Sequence, residues 1–508
     1  MDKEKQHWAD VTAERVIKEK GSKKLYVCAS GITPSGIVHI GNFREIITVD
    51  LVVRALRHKG KKVRFIYSWD DYDRFRKVPK DMPKQELLKK YLGQPIVDTP
   101  DVYGCHESYA EHNEKDLEES LLPTGIEPEF IYQNKMYKGF KYVKEIKHAL
   151  EHAKEIREIL DKYRDEPLPE SWMPLGVYCE KCKTDDTEVT EYNGEYKIKY
   201  KCDCGYTNEI DFRKKGIVKL PWRVDWPSRW HYEHVDFEPG GKDHSTVGGS
   251  YDTGKLIIEK LYNEEAPLYI RYDFVTIKGS GGKMSKSKGD VTTLKDVLET
   301  YEPEIVRFLF AGTRPNTEFS ISFDVDVIKI YEDFDRLEEK YYNKGGDERD
   351  KRIYELSCVS LKKNKPERVG FRHLTMLVQI NDDLKKISKD KEVLERAKCA
   401  KNWVEKYAPE EFRFKLHEKV PKDIIKKLDK KQKESLKLLA ERIEKKKFDE
   451  QSLFNEFYEI CQSLNIKNTE FFKAAYLVLI GKEKGPRLAT FILAVGKEKV
   501  VKLLKEIK

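Results

Sequence analysis

Two short stretches, far apart in the chain, hold the side chains with the most chemical potential. His39-Ile40-Gly41-Asn42 sets two polar donors around a residue with no side chain. Gly281-Gly282-Lys283-Met284-Ser285-Lys286-Ser287-Lys288-Gly289 is a basic loop flanked by glycines. Free N–H groups at a helix start suit an anion, and His39 and Asn42 add donors beside them. Lys283 and Lys286 reach phosphate oxygens as point charges. Alone, the first stretch reads as a helix cap and the second as a solvated turn. Together they suit the binding of ATP and the stabilisation of charge on an α-phosphate under attack.

These groups require a strand, a turn and a helix. Residues 25–29 are an apolar run with strand character. Gly31, Pro34 and Gly36 mark the turn, and an amphipathic helix opens at His39 through Phe43, Ile46, Ile47 and Leu51. A second strand, 63–69, completes a βαβ unit and runs into Asp70-Asp71-Tyr72-Asp73-Arg74. Ligands lie at the carboxyl ends of such strands. Three carboxylates there suit a cationic substrate; a solvated acidic turn paired with Arg74 is an equal reading. The basic loop falls between a strand-like run, 268–277, and a helix from Leu294. Upstream of it, Trp222, Trp226 and Trp230 lie four apart, but Pro227 is expected to interrupt any helix, leaving a tight aromatic wall. Gly241-x-Asp243-His244 offers a carboxylate to ribose hydroxyls, or simply a capped turn.

Two clusters have metal-ligand character. Cys179-x2-Cys182 and Cys202-x-Cys204 frame a polar hairpin and match a tetrahedral structural zinc site. The second pair is one residue tighter than usual. Asp101, Cys105, His106 and His112 form a mixed set that zinc accepts, around a tight turn at Tyr103-Gly104. Nine cysteines, an odd number, with several in metal-like spacing, point to a reducing, cytoplasmic compartment. The 508 residues suggest three or four domains. No apolar run approaches the ~18 residues of a membrane span, and the charged N-terminus does not read as a signal peptide. A net charge of +8 mildly favours a polyanion such as RNA.

The chain resembles the class I aminoacyl-tRNA synthetases. His39-Ile40-Gly41-Asn42 matches their HIGH signature with Asn42 in the last position, and Lys283 to Ser287 is an unaltered KMSKS signature. Trp222-Arg223-x-Asp225-Trp226-Pro227, Gly241-Lys242-Asp243-His244 and Arg271-Tyr272-Asp273 are similar to the lysine-specific branch of the class. The resemblance implies an α/β Rossmann catalytic core with a zinc-binding insertion, followed by an all-α C-terminal domain. It implies activation of L-lysine with ATP and Mg2+, then transfer to the 2′-hydroxyl of the terminal adenosine of tRNA(Lys). On this reading His39, Asn42, Lys283 and Lys286 are catalytic. Pro34, Gly36, Gly41, Gly241, Asp243, Met284 and Ser285 join them around ATP. Gly31 and Thr33 contact the amino acid's backbone end, and Trp222, His244 and Tyr272 line its side-chain pocket. Tyr67 and Asp70 are chosen as further partners for an ammonium group, which needs aromatic faces and acceptors. The family's second metal cluster raises the case for Asp101, Cys105, His106 and His112.

The expected domains are 1–73 and 221–290 for the two catalytic halves, 74–220 for the insertion, 291–345 for a helical stem-contact segment and 346–508 for an anticodon-binding domain. The last carries amphipathic helices with lysine-rich outer faces, suited to RNA phosphates. A monomer is expected. Two alternatives stay open: a class I enzyme for arginine, whose guanidinium suits the same pocket, and a non-catalytic zinc-ribbon RNA-binding protein. A glutamate enzyme would want a basic pocket instead.

Overall fold

A computed structural model describes residues 6–80, 82–279 and 291–507. The chain divides into two units. The first holds residues up to 298 with 303–321 and 343–361; the second holds 299–302, 322–342 and 362 onward.

The first unit is built on parallel strands. β1 (Tyr26–Ile32) pairs with β2 (Val63–Trp69), Tyr26 opposite Val63 and Ile32 opposite Trp69. β2 then pairs with β3 (Glu129–Tyr132). On the other side of β1, Cys28 bridges Phe237, and Phe237 bridges Leu268, both in parallel. The order across the layer is therefore β3, β2, β1, 237, 268. β1 starts one residue later than the apolar run suggests, because Leu25 is exposed. α1 (Trp8–Lys20) packs on α2 (Ile40–His58), and α2 covers β1 and β2. α2 is buried on nearly all sides, so its charged residues need partners. Arg44 donates to the carbonyls of Arg314 and Pro315, both at 2.7 Å. Asp50 accepts from Arg54 at 3.0 Å and from Arg307 at 2.7 Å.

Four expectations change. The stretch 74–220 is not wholly an insertion, since β3 lies inside it and completes the parallel layer. Pro227 does not interrupt the helix: Trp222–Glu233 is one helix that continues through the proline at its sixth position, with one backbone bond lost there. The run 268–277 divides: Arg271–Tyr272 pairs with Gly240–Gly241, and Val275–Ile277 with Phe319–Ile321. Residues 346–361, read with the C-terminal domain, belong to the first unit, where Glu348–Ser357 packs on Pro303–Ala311.

The second unit is helical. Its core gathers Leu436, Leu439, Phe457, Phe471, Leu479 and Phe491. Lys422–Lys427 and Lys430–Lys445 are separate helices, because Asp429 and Gln432 form a capping box that starts the second. Elsewhere Arg396 is buried between Glu302 at 2.6 Å and Asp335 at 2.8 Å. No helix of the described residues is long and apolar enough to cross a membrane.

Arg307 is a keystone of the first unit. It is fully buried and donates to Asp50, to the Leu356 carbonyl at 2.9 Å and to the Thr124 carbonyl at 3.2 Å. Arg307→Met leaves these acceptors unpaired; the expected loss is about 3 kcal/mol, towards the lower end for a broken buried pair because Arg54 still reaches Asp50. The guanidinium-chloride midpoint checks this, and an unmoved midpoint refutes it.

Candidate active site

The His39 stretch forms the predicted strand–turn–helix. His39 is the N-cap of α2 in an extended conformation, and Asn42 Oδ1 accepts from the His39 backbone N–H at 3.2 Å. A Cβ on Gly41 would lie 2.8 Å from His39 Nδ1. The missing side chain thus makes room for the imidazole, which the sequence did not reveal. The Ile40 N–H donates to the Thr292 carbonyl at 2.8 Å, and His39 bridges Thr293. The chain that follows the basic loop is therefore held against the helix start. Lys283, Met284, Ser285 and Lys286 themselves lie outside the described residues.

A cavity of about 900 Å³ opens at the ends of β1 and β2. Gly31, Thr33, His39, Gly41 and Asn42 line one side. Trp222, Gly241, Asp243, His244 and Tyr272 line another, and Asp70 is also present. Three predicted residues are not among the lining. Pro34 and Gly36 are turned inward and buried, and Ser35 between them faces the cavity. Tyr67 is 1% exposed, with its ring edge-on to Trp69 and Phe130 in the strand layer.

The aromatic wall exists, and helix spacing makes it. Trp222 stacks on Trp226 at 5.1 Å, and Trp226 meets Trp230 at 4.7 Å. Trp226 and Trp230 are core residues, whereas Trp222 reaches the cavity. His244 tilts against Trp222 and Trp226.

The floor is ionic. Arg229 donates to Asp70 at 2.6 Å and lies 3.5 Å from Asp225. Lys219 pairs with Asp73, which also accepts from the Thr33 hydroxyl at 2.9 Å. Tyr137 donates to Asp225 at 2.5 Å. Burial pushes Asp70 up despite the pull of Arg229. Asp73 is held down against its burial by Lys219 and Thr33. Asp70, read as a partner for a ligand cation, is thus already paired with a protein cation.

A different carboxylate is available. Glu45 lines the cavity, accepting from the Gly31 N–H at 2.9 Å and from the Tyr272 hydroxyl at 2.6 Å. Burial pushes it up to about 8, although both hydrogen bonds pull it down. Sequence reasoning missed it. The available signal was a charged residue beside Arg44 in a stretch of helix otherwise packed with Phe43, Ile46 and Ile47. Glu238, which accepts from Trp230 Nε1 at 2.6 Å, is likewise pushed up by burial, to about 7.

Both predicted metal-ligand sets converge. The four sulfurs of Cys179, Cys182, Cys202 and Cys204 lie within 4.8 Å of one another. Cys182 and Cys202 are 3.5 Å apart, and Cys179 and Cys204 are 3.8 Å apart. Tetrahedral zinc with bonds of ~2.3 Å needs sulfur separations of about 3.8 Å. The tight second pair works because Gly205, at φ +83°, turns the chain directly after Cys204. Donor atoms of Asp101, Cys105, His106 and His112 also lie within 4.8 Å of one another. Asp101 accepts from the backbone N–H groups of Tyr103, Cys105 and His106, which shapes that turn. Tyr103 stacks on His112 at 4.5 Å.

The family model described as tRNA synthetases class I (K) matches residues 6–360, and one described as an anticodon binding domain matches 374–508. The lysine–tRNA ligase of Borreliella burgdorferi is 50% identical, covering 98% of this chain and 98% of its own length. Those of Treponema pallidum and Pyrococcus horikoshii are each 45% identical, covering 98% of this chain and 98% and 99% of their own. With its catalytic portion and its helical C-terminal portion both matched, the chain belongs to the class I (K) tRNA synthetases.

Proposed function

We propose that this chain is a lysine–tRNA ligase. It joins L-lysine to ATP, giving lysyl-adenylate and pyrophosphate, and passes the lysyl group to the 2′-hydroxyl of the terminal adenosine of tRNA(Lys). The observation that carries this reading is the aromatic cavity beside the His39 helix start, whose floor carries Glu45, Asp70 and Asp73. Its floor sets Asp70, Asp73 and Asp225 against Arg229 and Lys219, and Glu45 adds a further carboxylate. That balance favours a cationic side chain and disfavours an acidic one.

The lysine carboxylate attacks the α-phosphorus and pyrophosphate leaves. His39, Asn42, Lys283 and Lys286 position the phosphates and stabilise their charge. Magnesium bound with ATP supplies further neutralisation. Gly41, Gly241 and Asp243 frame the nucleotide, Asp243 as an acceptor for ribose hydroxyls. Gly31 and Thr33 meet the backbone end of lysine. Trp222, His244 and Tyr272 enclose its stem, and Glu45, rather than Asp70, receives the ammonium. The 2′-hydroxyl then attacks the carbonyl of the mixed anhydride and AMP leaves.

The strand order β3, β2, β1, 237, 268 supports reading the catalytic portion as a Rossmann sheet. The sulfur spacing supports structural zinc on Cys179, Cys182, Cys202 and Cys204, and the mixed cluster supports a second ion. The helical unit holds the anticodon arm of the tRNA. Nine free cysteines favour the cytoplasm, and we read the working form as a monomer.

ATP–pyrophosphate exchange assayed with each of the twenty amino acids is expected to respond to lysine alone; a response to arginine only, or to none, overturns the reading. Glu45 supplies a pH signature. A carboxyl at about 8 is mostly protonated at pH 6, so the lysine KM should fall as pH rises from 6 towards 8. Glu45→Gln should abolish that slope and raise the lysine KM by roughly tenfold or more, about 1.4 kcal/mol or beyond. A pH profile that Glu45→Gln leaves unchanged would remove Glu45 from this role. Elemental analysis should find two zinc ions per chain, with one lost in Cys182→Ser/Cys202→Ser; an unchanged zinc content would exclude that site.

A further inference from the structure

Arg44 is buried in the first unit, one residue before Glu45 on α2. Its guanidinium lies 5.1 Å from the Phe319 ring and 5.7 Å from the Phe310 ring. Nη2 makes its hydrogen bonds, to the carbonyls of Arg314 and Pro315 at 2.7 Å and of Thr317 at 3.3 Å. Among the described residues Nε and Nη1 have no partner, and no carboxylate forms an ion pair with the group. Arg307 makes the contrast, being paired with Asp50. Burial pushes Arg44 down to about 10, while Asp273 and Tyr272 pull it back. A cation buried in this way stabilises a fold less than an apolar side chain of similar volume. Its value therefore lies in what Nη2 holds.

The Pro315 carbonyl accepts from Arg44 and also from the Asp273 backbone N–H at 2.9 Å. Tyr272, the residue before Asp273, donates its hydroxyl to Glu45 at 2.6 Å. The connections close a ring through Arg44, Pro315, Asp273, Tyr272 and Glu45. Tyr272 belongs to a two-residue strand with two ladder positions against Gly240–Gly241. So short a ladder fixes a long side chain weakly, and the anchor at Pro315 supplies a second point. We propose that Arg44 is a positioning residue for substrate recognition: it holds Tyr272 through Pro315 and Asp273, and so aims the Glu45 carboxylate at the cationic group of the bound amino acid. The proposal rests on the ligase reading for the identity of that amino acid. Arg44 itself is not among the residues that line the cavity. Glu238, Asp70, Tyr67 and Tyr269 also act on Glu45 electrostatically. Arg44 hydrogen-bonds to none of the segments that carry them, so its effect on Glu45 runs through Tyr272.

The test uses the full-length chain with Arg44→Lys, which keeps the charge and loses the planar donor geometry, with Tyr272→Phe, and with both. In lysine-dependent ATP–pyrophosphate exchange, Arg44→Lys should raise the lysine KM at pH 7 by roughly tenfold and keep the ATP KM within about twofold. The fall of the lysine KM with rising pH should move up by about one pH unit, because the lost Tyr272 bond had favoured the ionised carboxylate. Tyr272→Phe should move the profile in the same direction. The double variant should be no worse than Tyr272→Phe alone, since both changes act through one bond. Additive effects, a raised ATP KM or an unmoved pH profile in Arg44→Lys would each reduce Arg44 to a structural residue and overturn the proposal. Infrared titration of the Glu45 carboxyl in the free protein, recognised by its loss in Glu45→Gln, separates this outcome from failure of the ligase reading. Its midpoint should rise from about 8 in both single variants, whether or not any amino acid is activated. An unmoved midpoint in Arg44→Lys overturns the positioning role alone. Should Arg44→Lys fail to fold, Phe319→Leu removes one of the two rings beside the guanidinium and should raise the same midpoint; no movement there overturns the proposal.

Discussion

Burial of charge at the ends of β1 and β2 is the constraint on which the cavity depends. Asp70 and Asp225 are taken out of water and Asp73 is partly so, and an isolated buried carboxylate would protonate or unfold its surroundings. Arg229 and Lys219 make the arrangement tolerable by lying between them. Those two cations come from the Trp222–Glu233 helix and the strand that precedes it, whereas Asp70 and Asp73 follow β2. The ion pairs therefore clamp the two parts of the catalytic unit together and set the shape of the space between them. The Arg229 guanidinium also lies 5.3 Å from the Trp222 ring, which ties the aromatic wall to the same framework.

The ligand-facing groups are arranged on that frame. Tyr272, on a short strand paired with Gly240–Gly241, reaches across to Glu45 on α2. Gly31 at the end of β1 completes the triangle. A Cβ on Gly31 would lie 2.7 Å from the Ser68 carbonyl, so the close approach of β1 and β2 is what demands glycine there. One carboxylate is thereby held by two donors from separate segments, in surroundings that raise its proton affinity. A cation in the pocket would favour the ionised form of this carboxyl over the protonated one.

The cysteine hairpin and the mixed cluster lie outside this cavity but shape the segments around it. Cys179 and Cys202 are buried in the same core that Trp172 packs against. Asp185 and Asp186, just beyond Cys182, neutralise Arg74 at the edge of the floor. The cysteine loop is thus tied to the Arg74 edge of the floor.

The sequence by itself determined the features that depend on neighbours a few residues away. The His39 helix start, the turn at Gly31 to Gly36, the cysteine pairs and the amphipathic C-terminal helices all follow from spacing, capping and periodicity, which act locally. The class was legible for the same reason, because its signatures are contiguous. Tertiary structure decided the rest. Asp70 and Arg229 are 159 residues apart, and Glu45 and Tyr272 are 227 apart, so no local rule could tell which carboxylate is spent inside the protein and which faces the ligand. Tyr67 looked like a pocket residue from its place near a strand end, yet the alternation of β2 turned it into the layer. Pro227 looked like a helix breaker until packing of the three tryptophans outweighed one missing backbone bond. β3 was hidden because a four-residue strand between helices carries too little pattern to be seen before β2 is there to pair with it.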